Sequence, residues 1–329
     1  MELASVNALF YPFEQGEISW PDENQKVYYL NARYSKHLSN LNGCELYLQQ
    51  FNYTCSQELK IKGFQSYPEY NSEAFDLAFI NIPKDMISAQ IYIAEALQKL
   101  KAEGVLVCAA RNDAGGKRIS KTMAEMGCVS NKISKFKSTI CIVVKNQDIN
   151  EKKIASILQQ NKLSKNDFGY WSMPGVYGRD KIDIGSQMLL EHIDDLKGDG
   201  ADLGCGYGYL SIIALNKFKS IDKLYMVDND YRSIVSSKKN IREFADHKDV
   251  SFMWNDVNEL NFEDAKLDWV IMNPPFHQFK DTNPVIGTSF ISSSEKLLKK
   301  GGFLWMVSNA HLAYEDHIFS LFASADKVT

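Results

Sequence analysis

No Cys-x-x-Cys pair occurs in these 329 residues, and the six cysteines (Cys44, Cys55, Cys108, Cys128, Cys141, Cys205) show no ligand-like spacing with the six histidines. That pattern argues against a zinc site or a redox motif; buried, reduced thiols and no bound metal are expected. Long hydrophobic runs are missing too, since none approaches the roughly 20 residues a membrane helix requires. The opening stretch MELASVNALFYPFEQGE has acidic residues and no basic segment ahead of an apolar one. No secretory leader and no membrane partner are therefore expected, which places the protein in the cytoplasm. Neither charge dominates, the formal net being −4, which argues against a protein that coats nucleic acid non-specifically. The balance is nevertheless uneven: residues 101–165 hold 13 Lys+Arg against 5 Asp+Glu, a local +8 that leaves −12 on the rest of the chain.

What is present is ordinary globular material, 45% hydrophobic and 24% charged, in a chain long enough for two domains. Residues 1–150 alternate short apolar runs (26–32, 44–50, 75–82, 104–111) with a helical pattern at 89–101. That alternation implies a parallel sheet covered by helices. The second half repeats the plan from about residue 185, with strand-like runs at 199–206, 222–228, 250–256, 267–273 and 302–309. Two stretches also resemble each other directly: AFDLAFINIPKD (74–85) parallels KLDWVIMNPPFH (266–277), and each precedes a helix and a Gly-led strand. The expected fold is α/β, two tandem Rossmann-like domains from a duplication, spanning 1–150 and 172–329 and joined by a polar linker at 151–171. The first copy lacks a glycine-rich turn and has Asn81-Ile82-Pro83-Lys84 where the second has Asn273-Pro274-Pro275-Phe276, so it reads as degenerate.

The stretch ADLGCGYGYLS (201–211) sets Gly204, Gly206 and Gly208 after a strand and before a helix, with Asp202 leading them. Glycines in such a turn adopt positive φ without strain and let the backbone approach a ligand closely. Asp228 ends the next apolar run, where a carboxylate can take both hydroxyls of a ribose. Dinucleotide sites use a G-x-G-x-x-G spacing, whereas here the third glycine comes one residue sooner, which favours S-adenosylmethionine over a nicotinamide cofactor. Asn255 or Asp256, at the end of the third strand, could meet the adenine amino edge; both also suit a surface turn.

Asn273 ends the neighbouring strand at the topological switch point, where open α/β sheets bind ligands. An exocyclic amine on a base, or a carboxamide nitrogen, is a poor nucleophile because its lone pair is delocalised. The Asn273 side-chain oxygen and the Pro274 carbonyl can accept its two N–H bonds and turn the lone pair toward a methyl donor. Rate would then come from position and electrostatics. Phe276 offers a stacking face worth roughly 1–3 kcal/mol per base, Pro274 and Pro275 stiffen the corner, and His277 could line the entrance or be structural.

These residues resemble the class I S-adenosylmethionine-dependent methyltransferases. With PGVYGRDKIDIGSQMLL (174–190), NPPFH and a degenerate first copy, the chain looks like the RsmC-type small-subunit ribosomal RNA guanine-N2 methyltransferases. The resemblance implies that Asp202, Gly204, Gly206 and Gly208 line the methionine part of the cofactor, Asp228 holds the ribose, and Asn273 to Phe276 hold a guanine amino group. It further implies Arg179 and Asp180 over the site and Gly185 and Ser186 near the cofactor; a capped helix entry at Asp183 or Ser186 explains that segment equally well. The first domain would help to hold RNA of the small ribosomal subunit, through Lys117, Arg118, Lys121, Lys132, Lys135 and Lys137, and a monomer is expected. Two departures stand out. The first strand of the second half, GDGADLG, is polar for a central strand and is expected to be weak or short. The chain also stops at LFASADKVT, where a final antiparallel strand is expected to be missing. Rival readings are an amide or adenine methyltransferase and a catalytically idle RNA-binding assembly factor.

Overall fold

The computed structural model describes residues 4–72, 74–245, 249–262, 266–275, 284–309 and 314–327. Two compact units divide the chain, Met1–Lys162 and Leu163–Thr329. In the first, the elements run α1 (Ala4–Glu14), β1 (Lys26–Leu30), β2 (Glu45–Gln49), α2 (Tyr53–Ile61), β3 (Ser66–Tyr67), β4 (Phe75–Asn81) and α3 (Met86–Lys99). They continue with β5 (Leu100–Arg111), α4 (Gly116–Glu125), β6 (Asn131–Lys135), β7 (Ser138–Val144) and α5 (Glu151–Gln160). The second unit runs β8 (Ser164–Lys165), β9 (Trp171–Ser172), α6 (Ile184–His192), β10 (Gly198–Leu203), α7 (Tyr209–Lys217), β11 (Ile221–Asp228) and α8 (Tyr231–Phe244). It ends with β12 (Val250–Trp254), β13 (Leu267–Met272), α9 (Pro284–Leu297), β14 (Leu298–Met306) and α10 (Glu315–Leu321).

The first sheet has the order β3-β2-β1-β4-β5-β7-β6 and the second β12-β11-β10-β13-β14. The two share one plan, parallel strands in the order third, second, first, fourth, fifth. In the first unit the antiparallel strands β7 and β6 extend it; among its described residues the second sheet carries the five parallel strands. Each sheet has an apolar cluster on either face, because parallel strands buried on both sides must be apolar throughout. Phe79 and Ile80 on β4, and Val270 and Ile271 on β13, show the result, each pair fully buried at neighbouring positions of its strand.

Three expectations meet a different structure. Residues 151–160 are not linker but helix: Asn150 caps it by accepting from Lys153 N at 3.0 Å, and Ile154 and Ile157 are buried in the first unit's core. The i, i+3 spacing of those isoleucines outweighs the polar composition around them. Residues 164–172 belong to the second unit, where the small hairpin β8–β9 is held at Trp171 by the α8 residue Asn240 through bonds of 2.7 and 2.8 Å. The polar strand GDGADL, expected to be weak, is the centre of its sheet, paired along its length with β11 and from Gly200 to Leu203 with β13. Its glycines are close-approach positions. A Cβ on Gly200 would stand 2.0 Å from the Trp269 indole of the neighbouring strand, so the ring occupies the space a side chain would take.

No helix among the described residues is long and apolar enough to cross a membrane.

Candidate functional site

At the carboxyl end of β10 the chain makes three left-handed steps, with φ of 78°, 54° and 94° at Gly204, Gly206 and Gly208. A residue with a Cβ resists that conformation. Gly208 also opens α7, and a Cβ there would stand 3.0 Å from Met226 Cε and 3.2 Å from Ser237 Cβ. The loop is anchored to β11, since Gly204 N and Cys205 N donate to the Val227 carbonyl at 2.8 and 3.0 Å. From α8, Asn240 Nδ2 donates to the Tyr207 carbonyl at 2.8 Å.

Asp228, at the tip of β11, faces this loop. Its Oδ2 accepts from Gly206 N and its Oδ1 from Asp230 N, both at 2.8 Å. Burial pushes its carboxyl from an ordinary 3.8 up to about 6, against the pull of those backbone N–H groups. Asp202 lies beneath the loop, fully buried; Oδ2 accepts from Ser211 Oγ at 2.6 Å, while Oδ1 has no hydrogen-bond partner among the described residues. Burial raises its carboxyl to about 7, the Ser211 hydroxyl opposing and the Asp228 charge adding to the rise. Left-handed glycines, a carboxylate in reach of them and an orphaned buried oxygen are what a nucleoside with a cationic tail requires, so the residues present fit S-adenosylmethionine.

The two carboxyls also set a stability trend. Both bind protons more tightly in the fold than in the unfolded chain, so their contribution is fully present below about pH 4 and is lost as pH rises through about 6 and 7. Denaturation between about pH 4.5 and 7.5 should therefore show the second unit of the wild type losing stability relative to an Asp202→Asn variant. The limit is about 1.4 kcal/mol per pH unit. Parallel curves for the two proteins would show that Asp202 titrates at its ordinary value.

Asn255 and Asp256 follow β12. Asn255 N donates to the Asp228 carbonyl at 3.1 Å, and Asn255 Oδ1 accepts from Asp256 N at 2.8 Å. Asp256 Oδ1 caps a short turn by accepting from Asn258 N at 2.9 Å. Both therefore stand beside Asp228, with the Asp256 carboxylate engaged in its own turn.

Asn273 follows β13, directly beside β10 in the sheet, and is half-buried; Pro274 is buried and Pro275 exposed. Phe276 and His277 lie outside the described residues. Asn273 Nδ2 donates to Asp183 Oδ1 and to Ser186 Oγ, both at 2.9 Å. Asp183 Oδ1 also accepts from Ser186 N at 2.9 Å and so caps α6. Gly185 permits this approach, because a Cβ there would stand 2.8 Å from Val307 Cγ2 and 3.1 Å from Asp183 Oδ1. Ser186, expected near the cofactor, thus meets the Asn273 amide. Arg179 and Asp180 are not drawn to it: Arg179 reaches Ser164 Oγ at 3.4 Å and Asp180 at 3.9 Å, and the Asp180 carboxylate points into solvent. Lys132, Lys135 and Lys137 lie in the first unit, exposed on β6 and the turn after it, and Lys135 Nζ stands over the exposed Phe136 ring, 5.7 Å from its centre.

Sequence reasoning weighed Asp183 only as a helix cap and passed over Asn240 and Ser211. The Asp-x-x-Ser spacing is the signal of a cap, and nothing in it reports a strand end 90 residues away.

The first unit shows the same corner filled. Asn31, with φ of 52°, stands after β1 where Gly204 stands after β10, and its Nδ2 donates to the Asn81 carbonyl at 2.7 Å. Registers Leu30 with Gln49 and Leu203 with Val227 put Gln50 in the place of Asp228. Gln50 is buried, and its amide closes on the Ala32 carbonyl at 2.6 Å. Protein amides of the first unit stand where the second unit has its glycine loop and Asp228.

A family model for the methyltransferase small domain matches residues 167–329. Among curated proteins, the ribosomal RNA large subunit methyltransferase G of Vibrio cholerae is 33% identical over 156 residues, covering 47% of this chain and 41% of that protein. The ribosomal RNA small subunit methyltransferase C of Shewanella amazonensis is 25% identical over 320 residues, covering 93% of this chain and 91% of its own length. The matched region spans about two fifths of the first of these relatives. Among solved structures, the Thermus thermophilus 16S rRNA N2 methyltransferase RsmC, in complex with AdoMet and guanosine, superposes with a TM-score of 0.80 at 20% identity, covering 98% of this chain and 88% of that one. The likeness establishes a shared fold across both units.

Proposed function

We propose that this chain, whose residues 167–329 match the methyltransferase small domain model, transfers a methyl group from S-adenosylmethionine to the exocyclic N2 amine of a guanine in small-subunit ribosomal RNA. The observation that carries the reading is the pairing, at adjacent strand ends of one sheet, of the left-handed glycine loop facing Asp228 with Asn273. The relatives supply the substrate class, since those covering nearly the whole chain are named as ribosomal RNA methyltransferases.

S-adenosylmethionine supplies an electrophilic methyl on a sulfonium sulfur. The chain's own groups would do the rest by binding and orientation. The glycine loop and Asp202 would take the methionine part, Asp228 the ribose hydroxyls, and Asn255 or Asp256 the adenine edge. Asn273 Oδ1 and the Pro274 carbonyl would accept the two N–H bonds of the guanine amine and turn its lone pair toward the methyl, with Phe276 as the stacking face. Positive charge develops on that nitrogen in the transition state, and two fixed acceptor oxygens stabilise it there.

The first unit would hold RNA through its basic surface, without reading sequence. Reversing the charge of Lys132, Lys135 and Lys137 together should weaken RNA binding and lower the slope of log affinity against log salt by roughly 2, at about 0.7–0.9 per phosphate contact. Cofactor affinity should not move. An unchanged slope in a salt titration removes the β6–β7 hairpin from the RNA footprint.

The reaction is tested by transfer of labelled methyl into small and large subunits, each lacking its native modifications, with nucleoside analysis of the product. N2-methylguanosine is expected. The name of the Vibrio cholerae relative favours the large subunit as a second reading, and label appearing in large-subunit RNA instead would establish it. Cofactor binding without incorporation into either RNA would turn the assignment toward a protein amide or adenine.

A further inference from the structure

Asn273 is useful to an amine only when its amide faces the right way. Turned one way it offers Oδ1, which accepts an N–H; turned the other it offers Nδ2, which opposes the protons it should hold. A half-turn about the last side-chain bond exchanges the two with almost no change of shape, so apolar packing discriminates weakly between them. Hydrogen-bond partners must make the choice.

Two partners face this amide, Asp183 Oδ1 and Ser186 Oγ, each 2.9 Å from Nδ2. They are not equivalent. A serine hydroxyl both donates and accepts, so Ser186 could satisfy either orientation. A carboxylate has only acceptors, and only the NH2 face can satisfy it. We propose, resting on the methyl-transfer reading, that Asp183 is a positioning residue for the reaction: its contact with Asn273 Nδ2 commits the amide to present Oδ1 to the substrate amine.

The duplication provides an internal comparison. Asn81 ends β4 as Asn273 ends the strand zone of β13, and again a serine from the unit's preceding helix reaches it. There Ser5 Oγ donates to Asn81 Oδ1 at 2.9 Å, so the acceptor oxygen is consumed. Among the described residues no acidic side chain holds the Asn81 amide. The same Asn–Ser pair therefore runs with opposite polarity in the two copies, and the copy with the glycine loop is the one in which a carboxylate joins the pair.

Asp183 also caps α6, and the two roles separate by substitution. Serine caps a helix about as well as aspartate, but its hydroxyl sits one bond closer to the backbone and cannot hold both Ser186 N and the Asn273 amide. Asparagine keeps an acceptor oxygen at the same distance and loses the charge. The experiment compares wild type, Asp183→Ser, Asp183→Asn and Asn273→Ala for kcat, KM for RNA, cofactor Kd by calorimetry, and Tm, with hydrogen exchange of the Asn273 side-chain NH2 followed by NMR. Asp183→Ser should lower kcat roughly 10- to 100-fold, speed the Asn273 NH2 exchange, and leave KM, Kd and Tm in place; Asp183→Asn should recover most of the loss. Wild-type kcat in Asp183→Ser, or a loss matched by equal losses in Tm and Kd, overturns the positioning role and leaves a cap. If wild type transfers no methyl, the functional reading fails by itself, and the exchange measurement still judges the contact: acceleration in Asp183→Ser upholds it and an unchanged rate sinks it.

Discussion

Asn273→Ala should reduce methyl transfer about 10²- to 10³-fold, a loss of roughly 2.7–4 kcal/mol of transition-state stabilisation, while the cofactor binds almost as before. The asymmetry follows from the placement of the side chain. Asn273 stands after β13 and gives its NH2 to Asp183 and Ser186, whereas the glycine loop is tied to Val227, Asp228 and Asn240. Truncating the amide therefore removes an acceptor from the amine side and no bond from the cofactor side. Asp183 keeps its other partner, Ser186 N, so the start of α6 survives the change. Single-turnover transfer and calorimetry on the same preparation decide it. Equal losses in rate and cofactor affinity would mean that Asn273 serves the cofactor, and the division of roles between the two strand ends would be wrong.

Asp228→Asn should weaken cofactor binding about 10²-fold, since two hydrogen bonds to a charged acceptor, each worth roughly 1.5–3 kcal/mol, depend on that carboxylate. The wild type should also show the effect through pH. Burial holds the Asp228 carboxyl at about 6 in the free protein, and a protonated carboxyl cannot accept from both hydroxyls of a ribose. Affinity should then fall as pH drops from about 7 to 5, approaching a factor of ten per pH unit at the lower end. The Asp228→Asn variant should show no such slope. Because Asp228 also accepts from Gly206 N, the melting temperature of the variant must be read beside its Kd. A wild-type affinity flat across this range would detach Asp228 from the ribose.

The sheet was legible in the sequence because parallel strands announce themselves: FDLAFIN and LDWVIM are apolar on both faces, and each is followed by a helix and a Gly-led strand. The glycine loop was legible for a related reason, since few side chains tolerate its backbone. The misreadings came where a local pattern and the tertiary structure disagree. Charged residues at 151–153 hid a helix whose burial rests on two isoleucines. The polarity of GDGADL looked like weakness, yet its Gly200 is the room left for an indole from the next strand. Asp183 was invisible as anything but a cap, because its second partner lies on another element and carboxylates reach across space without leaving a spacing behind. Arg179 shows the converse, a charged residue beside the right motif whose side chain folds back on Ser164.

Asn31 and Gln50 give the amide-filled first copy a consequence for the cell. A ligand that binds only the folded form stabilises it by mass action, and a site already closed by the protein's own amides gains nothing from that source. The second unit would thus have a folding stability that rises and falls with the supply of methyl donor. The other half would keep its stability whatever the metabolic state.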